Sequence, residues 1–516
     1  MSRLVRQATI RACLRRVLPV AGALSADVAP ALGQCQLSKL VASDGGSLDV
    51  FAESVGVTGR QALVSARRHG HYYELSGGLY VYEPSEVGWI EVEEVTFPPG
   101  EGGGFGEPLS VDGRVAVAGA VGFWPRILER AATTWAPVQN LRPVGGFRPG
   151  FGDAIAIDAE GIVIGAPEDD NENGGGAGSA YVFERDPNGV WLQSARLLAS
   201  DGSGGDAFGF SVAIHDDVIA VGAPEDDPLG FASGSAYVFE RDPNGAWVET
   251  AKLLGDDGGG IDLFGHAVAV TGEAIAVAAP VAGVENAGRV YVFTREPDGA
   301  WERSETLASS DINTADDFGS ALALDGAMMI AGARFKENAG MFTGAAYVFH
   351  RQPDGAWLEV GKLLASDGGH RAEFGRSVAL SGNLAVVGAP FHDVVDSGGN
   401  TQVDAGAAYV FAIGPDRDEN GVMDVCECRA AVDGGAPGPG VAGGFVASPD
   451  LDLDQRVGMG DLLVLLANFG HDRDNPPAGH SPPYAALHEY GDLDLDQDID
   501  LADLALMLAA YDRACE

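Results

Sequence analysis

A phenylalanine, usually followed by glycine, recurs seven times in this chain, at Phe51, Phe105, Phe151, Phe208, Phe264, Phe318 and Phe374. Successive copies lie 46 to 57 residues apart. Each opens the same succession of four short apolar runs. A fixed period of this size with four strands per unit specifies an all-β, seven-bladed β-propeller, because each four-stranded sheet buries its faces only by packing between two neighbours.

The fourth repeat displays the unit. Ser211-Val212-Ala213-Ile214 reads as a first strand, and His215-Asp216-Asp217 as a tight turn. Val218-Ile219-Ala220-Val221 returns the chain, and Pro224 ends that strand because proline cannot extend an interior ladder. After a loop of acidic and small residues, Ala236-Tyr237-Val238-Phe239 forms a third strand. Asp242-Pro243-Asn244-Gly245 is a turn, with proline presetting φ and glycine accepting a positive one. Trp247 opens a fourth strand that runs to Leu254. Trp89, Trp135, Trp191, Trp301 and Trp357 open the others.

Two repeats are irregular. The second is degenerate, with Ile127-Leu128-Glu129-Arg130 standing where the third has Val182-Phe183-Glu184-Arg185. The seventh lacks a fourth strand. Its missing piece matches the start of the chain, where Lys39-Leu40-Val41-Ala42-Ser43-Asp44-Gly45 parallels Lys362-Leu363-Leu364-Ala365-Ser366-Asp367-Gly368. Residues 36–42 are therefore expected to complete the last blade and close the ring, which removes exposed sheet edges.

The formal net charge of −43 argues against nucleic-acid binding, since phosphate contacts need Lys and Arg. Residues 1–33 differ from the rest: Arg3, Arg6, Arg11, Arg15 and Arg16 precede a mildly apolar stretch and a small-residue site at Ala31-Leu32-Gly33. They read as a secretory leader, the other reading being a basic tail. No later apolar run is long enough to span a bilayer. Cys35, Cys426, Cys428 and Cys515 follow the leader; in an exported chain they allow two disulfides, and a Cys35 bridge to Cys426 or Cys428 would lock the ring.

The Phe-Gly and Gly-Ala-Pro pairs, as at Phe208-Gly209 and Gly222-Ala223-Pro224, resemble the FG-GAP repeat family, which includes the seven-bladed head of integrin α chains. The resemblance covers residues 36–413. It implies a propeller whose ligand face carries the loops after Gly-Ala-Pro and the inter-blade Asp-Gly segments. Integrin-like blades often hold a DxDxDG calcium loop between the first two strands. Here those turns are too short for six oxygen ligands, so the propeller's first turns are not expected to hold calcium.

On the implied ligand face, Glu168, Asp169, Asp170, Glu172, Glu225, Asp226, Asp227, Asp393 and Asp396 gather. They read as an acidic solvated rim, with a divalent-cation site as the sharper reading. Asp49, Asp206, Asp262 and Asp316, each two residues before a repeat phenylalanine, read as turn-forming side chains. His69 and His71 have no neighbours in sequence to complete a ligand set, and read as loop histidines. No HExxH or GxSxG occurs.

Beyond the propeller the composition changes. Residues 414–429 fit a twelve-residue calcium loop, with oxygens from Asp416, Asp418, Asn420, the Val422 carbonyl, Asp424 and Glu427. Residues 430–448 form a Gly/Pro-rich linker. Over 449–513, two loops offer Asp450, Asp452, Asp454, the Arg456 carbonyl and Asp461, then Asp492, Asp494, Asp496, Asp498 and Asp503. Each loop enters a short apolar helix. Carboxylates at alternate positions converge on one cation, and Ca2+ offsets their repulsion. This pair resembles a dockerin, a small α-helical calcium-dependent module, which implies a cohesin-like partner. Gln455 and Gln497 stand where glycine is usual.

These readings converge on a secreted or cell-surface adhesion or interaction protein. The propeller would bind a protein or glycan ligand, and a calcium-ordered tail would serve attachment. An extracellular hydrolase with its site on the acidic face is the second reading, and a structural surface component the third.

Overall fold

The computed structural model describes residues 31–416, apart from the short segments 70–76, 86–87, 97–104, 121–122, 132, 160, 256–258, 284–285, 312, 339–340 and 396–397. Among the described residues, the chain forms seven four-stranded sheets and two small two-stranded hairpins. In blade four the strands are Ser211–His215, Val218–Ala223, Ser235–Arg241 and Trp247–Leu253, paired antiparallel in sequence order. In blade four the strand limits fall within two residues of the sequence expectation: the second strand runs on to Ala223, the third to Arg241, and the fourth ends at Leu253; Trp89 and Trp135 each follow one earlier strand residue.

Burial follows strand position. Val218–Ala223 is buried throughout, as its unbroken apolar run requires of a strand covered on both faces. Trp247–Leu253, at the outer edge, alternates exposed and half-buried positions. The seven first strands touch one another in turn around the axis, and the seventh touches the first. The ring is thus a closed seven-bladed propeller.

Closure uses the N-terminal strand. Ala31–Leu40 pairs antiparallel with Ala407–Asp416, with Lys39 opposite Tyr409 and Leu40 opposite Ala408. It therefore begins five residues before the expected Gln36. Gln36 also exchanges hydrogen bonds with Ser366, donating through Nε2 at 2.9 Å and accepting from the Ser366 amide at 3.1 Å. Cys35, within this strand, is disulfide-bonded; the other cysteines of the chain lie outside the described residues.

The repeated Phe-Gly and Gly-Ala-Pro pairs are the seam between blades. Phe208 packs edge-on against Tyr237 and Phe239 of its own blade, at centroid distances of 5.4 and 6.0 Å. Its backbone bridges Gly178 of the preceding blade. Gly178 has φ +83°, and a Cβ there would lie 2.1 Å from the Phe208 carbonyl oxygen. One seam further, a Cβ on Gly222 would lie 1.9 Å from the Gly265 carbonyl oxygen. Backbones approach so closely that only glycine fits. The second blade keeps the frame despite its divergence: a β-bulge falls between Ile127 and Leu128, as it does between Val182 and Phe183 in the third.

Candidate functional site

Antiparallel order sends the loops between second and third strands, and the segments between blades, to one face. Four inter-blade segments are built on an aspartate, as expected. Asp49, Asp206, Asp262 and Asp316 accept from the backbone amides of Gly46, Ser203, Gly259 and Asn313 at 2.5 to 2.7 Å. These segments in turn support the loops. The Ile261 amide donates to the Phe231 carbonyl at 2.6 Å, Arg371 to Phe342 at 2.7 Å, and Leu48 to Val403 at 2.9 Å. Two loops carry their own hairpins, Glu337–Asn338 with Met341–Phe342 and Val394–Val395 with Thr401–Gln402.

What this face presents differs from a purely acidic rim. Phe147, Phe231 and Phe342 are 71%, 74% and 50% exposed, and Val144, Ile261, Val395 and Val403 are also exposed. Glu168, Asp170, Glu172, Glu225, Asp227 and Asp393 stand among them in solvent, whereas Asp169 and Asp226 are buried. Asp396 lies outside the described residues. The aromatic residues were visible in the sequence as phenylalanines outside any strand pattern, in Leu229-Gly230-Phe231 and Met341-Phe342.

Beneath the loops lies a repeated polar cluster. Its floor is the buried third-strand tyrosine. Its walls are the third residue after the alanine that ends the second strand, an aspartate entering from the preceding inter-blade segment, and a fourth-strand residue opposite the tyrosine. In blade four the Tyr237 hydroxyl donates to Asp201 Oδ1 at 2.9 Å. Lys252, opposite Tyr237, places its ammonium 2.7 Å from Asp201 and 2.8 Å from Asp226. Burial lowers the Lys252 pKa, but its bonds to both carboxylates outweigh that and hold it above the usual lysine range.

Blade six uses Asp311, Asp316, Lys336 and Lys362. The Lys362 ammonium lies 2.8 Å from Asp311, and the buried Lys336 2.8 Å from Asp316. Blade seven uses Asp367, which accepts from Tyr409 at 2.7 Å and from Lys39 at 2.6 Å, with His392 beside it. In blade three Asp169 accepts from Tyr181 at 2.7 Å and from Arg196 at 3.0 Å. Burial, and that bond to Asp169, push the Tyr181 hydroxyl up to about 12, so it remains a donor. Asp169 and Asp226 therefore hold the loop base together.

Blade one departs from this pattern. Glu94, not a lysine, stands opposite Tyr80. His69 occupies the post-strand position, with Nε2 at 3.4 Å from Asp44 Oδ2 and 3.7 Å from Glu94 Oε1, and Nδ1 at 3.4 Å from Asp49 Oδ2. One ligand atom each from Asp44, His69 and Glu94 lies within 4.8 Å of the others. The structure thus brings to His69 the carboxylates that its sequence neighbours do not supply. Its companions lie 25 residues away on either side, and only the fold joins them; His71 is outside the described residues. Asp49 raises the His69 pKa through its hydrogen bond, while burial and then Asp44 push the Glu94 carboxyl up.

Of the tail ligands, Asp416 ends the strand Ala407–Asp416. Asp418, Asn420, Val422, Asp424, Glu427, Asp450, Asp452, Asp454, Arg456, Asp461, Asp492, Asp494, Asp496, Asp498 and Asp503 lie outside the described residues, as do the linker and the dockerin-like segment.

The FG-GAP repeat model matches residues 35–82, 145–183, 191–239, 247–293, 301–349 and 357–411, more than half of the chain. The chain belongs to the FG-GAP repeat family. Each matched FG-GAP unit from Trp191 onward begins at a fourth strand and ends in the third strand of the next blade. The unit of sequence is therefore offset by one strand from the unit of structure, and the first match joins the closing strand to blade one. The degenerate second blade falls between matches. The chain is also similar to Integrin alpha-6 of Gallus gallus, 30% identical over 115 residues, or 21% of this chain. The aligned part spans about a tenth of that protein's length. Among the described residues, no helix is long and apolar enough to cross a membrane.

Proposed function

We propose that this FG-GAP propeller is an exported recognition module whose loop face binds a protein or glycan ligand, serving adhesion or interaction at or outside the cell surface. The observation that carries the reading is the exposure of Phe147, Phe231 and Phe342 on loops hydrogen-bonded to a rigid base. Exposed aromatic side chains on such a scaffold suit recognition, because they bury much area at small conformational cost. Phenylalanine lacks a polar group, which favours an apolar patch on a protein surface over a heavily hydrated glycan. The surrounding carboxylates would set specificity and steer basic partners.

The similarity to an integrin α chain supports the adhesive part of this reading. The tail's alternating aspartates support Ca2+ as its cofactor, and their dockerin-like spacing supports attachment through a cohesin-like partner. The arginine-rich start of the chain supports export. The test is an array of secreted proteins and glycans probed with the purified full chain and with the Phe231→Ser/Phe342→Ser variant. A ligand retained by the first and lost by the second supports the reading; equal retention refutes the assignment of the face.

A further inference from the structure

The repeated cluster places a side-chain cation against the entering aspartate in blades four, six and seven, and against the post-strand Asp169 in blade three. In blades four, six and seven that cation is a lysine ammonium on the fourth strand, at 2.7, 2.8 and 2.6 Å from Asp201, Asp311 and Asp367. Blade one keeps the tyrosine and the aspartate: Tyr80 donates to Asp44 Oδ1 at 2.8 Å. At the lysine position it has Glu94 instead. Three carboxylates, Asp44, Asp49 and Glu94, then surround one imidazole. Among the described residues, no lysine or arginine pairs with any of them. Blades two and five carry the neutral Asn140 and Thr306 at this fourth-strand position, and blade one is the blade that places a carboxylate there.

We propose that blade one binds a divalent transition-metal ion of the Zn2+ class through His69 Nε2, Asp44 and Glu94, in the place where other blades hold a lysine ammonium. Three details of the geometry agree. A tetrahedral ion with ligands at about 2.1 Å sets them about 3.4 Å apart, and His69 Nε2 lies 3.4 and 3.7 Å from the two carboxylate oxygens. Tyr80 occupies Asp44 Oδ1, which leaves Oδ2 facing the imidazole. Asp49 faces Nδ1 at 3.4 Å and is itself fixed by the Gly46 amide at 2.7 Å. A carboxylate accepting from Nδ1–H is the arrangement that leaves Nε2 with its lone pair for a metal.

The donor set also selects the ion. Imidazole with two carboxylates suits zinc and its neighbours, whereas calcium takes six to eight oxygens. Three protein ligands leave a fourth position to water or to a ligand's oxygen. The site lies beside the segment that joins the closing strand to blade one, so a bound ion would tie that segment to the His69 loop.

The experiment uses the metal-stripped full chain, titrated with Zn2+ against a competing chelator. Wild-type protein is compared with Glu94→Lys, which supplies the ammonium that blades four, six and seven have, and with Glu94→Gln and His69→Ala. Wild type should bind one equivalent of Zn2+ more than each variant. Glu94→Lys should melt higher than wild type without metal and lose the rise in melting temperature that Zn2+ gives wild type. Excess Ca2+ should leave the extra equivalent in place, while tail sites respond alike in all four proteins. Equal zinc stoichiometry and affinity in all four would overturn the proposal and make His69 the imidazolium of an ion-paired cluster. Displacement of that equivalent by Ca2+ would overturn the class of ion. Should Glu94→Lys fold poorly, the near-isosteric Glu94→Gln gives the same reading.

Discussion

The Lys39 ammonium lies 2.6 Å from the Asp367 carboxylate, across 328 positions of sequence. The pair joins the strand Ala31–Leu40 to the segment that enters the last blade. Both partners are partly exposed, so the pair itself contributes about 1 kcal/mol or less. The strand that carries Lys39 contributes far more, because it covers the edge of Ala407–Asp416 along its length. Lys39→Ala should therefore barely change melting. Deletion of residues 31–40 should lower the melting temperature by roughly 10 °C or more, equivalent to several kcal/mol, and cause self-association through the bared edge. Thermal melts with light scattering check both; unchanged melting of the deletion would refute closure by this strand.

The seams between blades should tolerate no Cβ. Gly222→Val would drive a side chain into the Gly265 carbonyl, which lies 1.9 Å from the Cβ position. We expect a loss of about 3 kcal/mol, in the range of severe steric substitutions. Gly272→Ala is the control: its Cβ would meet only the His215 ring, at 4.0 Å, and its loss should stay within about 0.5 kcal/mol. Chemical denaturation measures both.

The repeat period and strand order were legible because each blade restates them, and a pattern stated seven times survives the divergence of Ile127-Leu128 in blade two. Closure was legible because Lys39-Leu40 copies Lys362-Leu363. The turn role of Asp49 and its equivalents was legible as local chemistry. The clusters under the loops were not. Asp226 looks like any other acidic loop residue until Lys252 is brought back to it, and His69 meets Asp44 and Glu94 only through two different strand connections. The exposed phenylalanines were overlooked for a different reason: net charge describes the average of a surface, whereas recognition depends on its exceptions.

Acid should weaken blade six through Asp311. Burial raises its carboxyl, but hydrogen bonds from Lys362 and Tyr347, with Lys336 nearby, outweigh this and hold it at about 2. The folded value is below that of an unfolded aspartate, about 3.9. Its stabilising contribution is therefore full above pH 4 and is lost as pH falls towards 2. Asp311→Asn should lower the melting temperature at pH 7 and narrow the gap to wild type by pH 2.5. A gap that stays constant over this range would contradict the assignment.

Calcium should reside in the tail. The full chain should bind two or three Ca2+, and Asp450→Ala and Asp492→Ala should each remove one. Binding by such loops is coupled to folding, because their carboxylates repel one another without the ion. Calorimetry with circular dichroism checks this. Unchanged stoichiometry in both variants would refute these loops as ligands.

The loop face is the centre of the account, and one measurement tests it most directly. The full chain and the Phe147→Ser/Phe231→Ser/Phe342→Ser variant are passed over the same array of secreted proteins and glycans. Retained ligands are then measured by surface plasmon resonance. Because these side chains are exposed, the variant should melt with wild type. The account predicts at least one ligand that binds wild type and loses tenfold or more in affinity with the variant, a change of about 1.4 kcal/mol or more. Ligands that bind both proteins equally, while substitutions on the opposite face abolish binding, would contradict it.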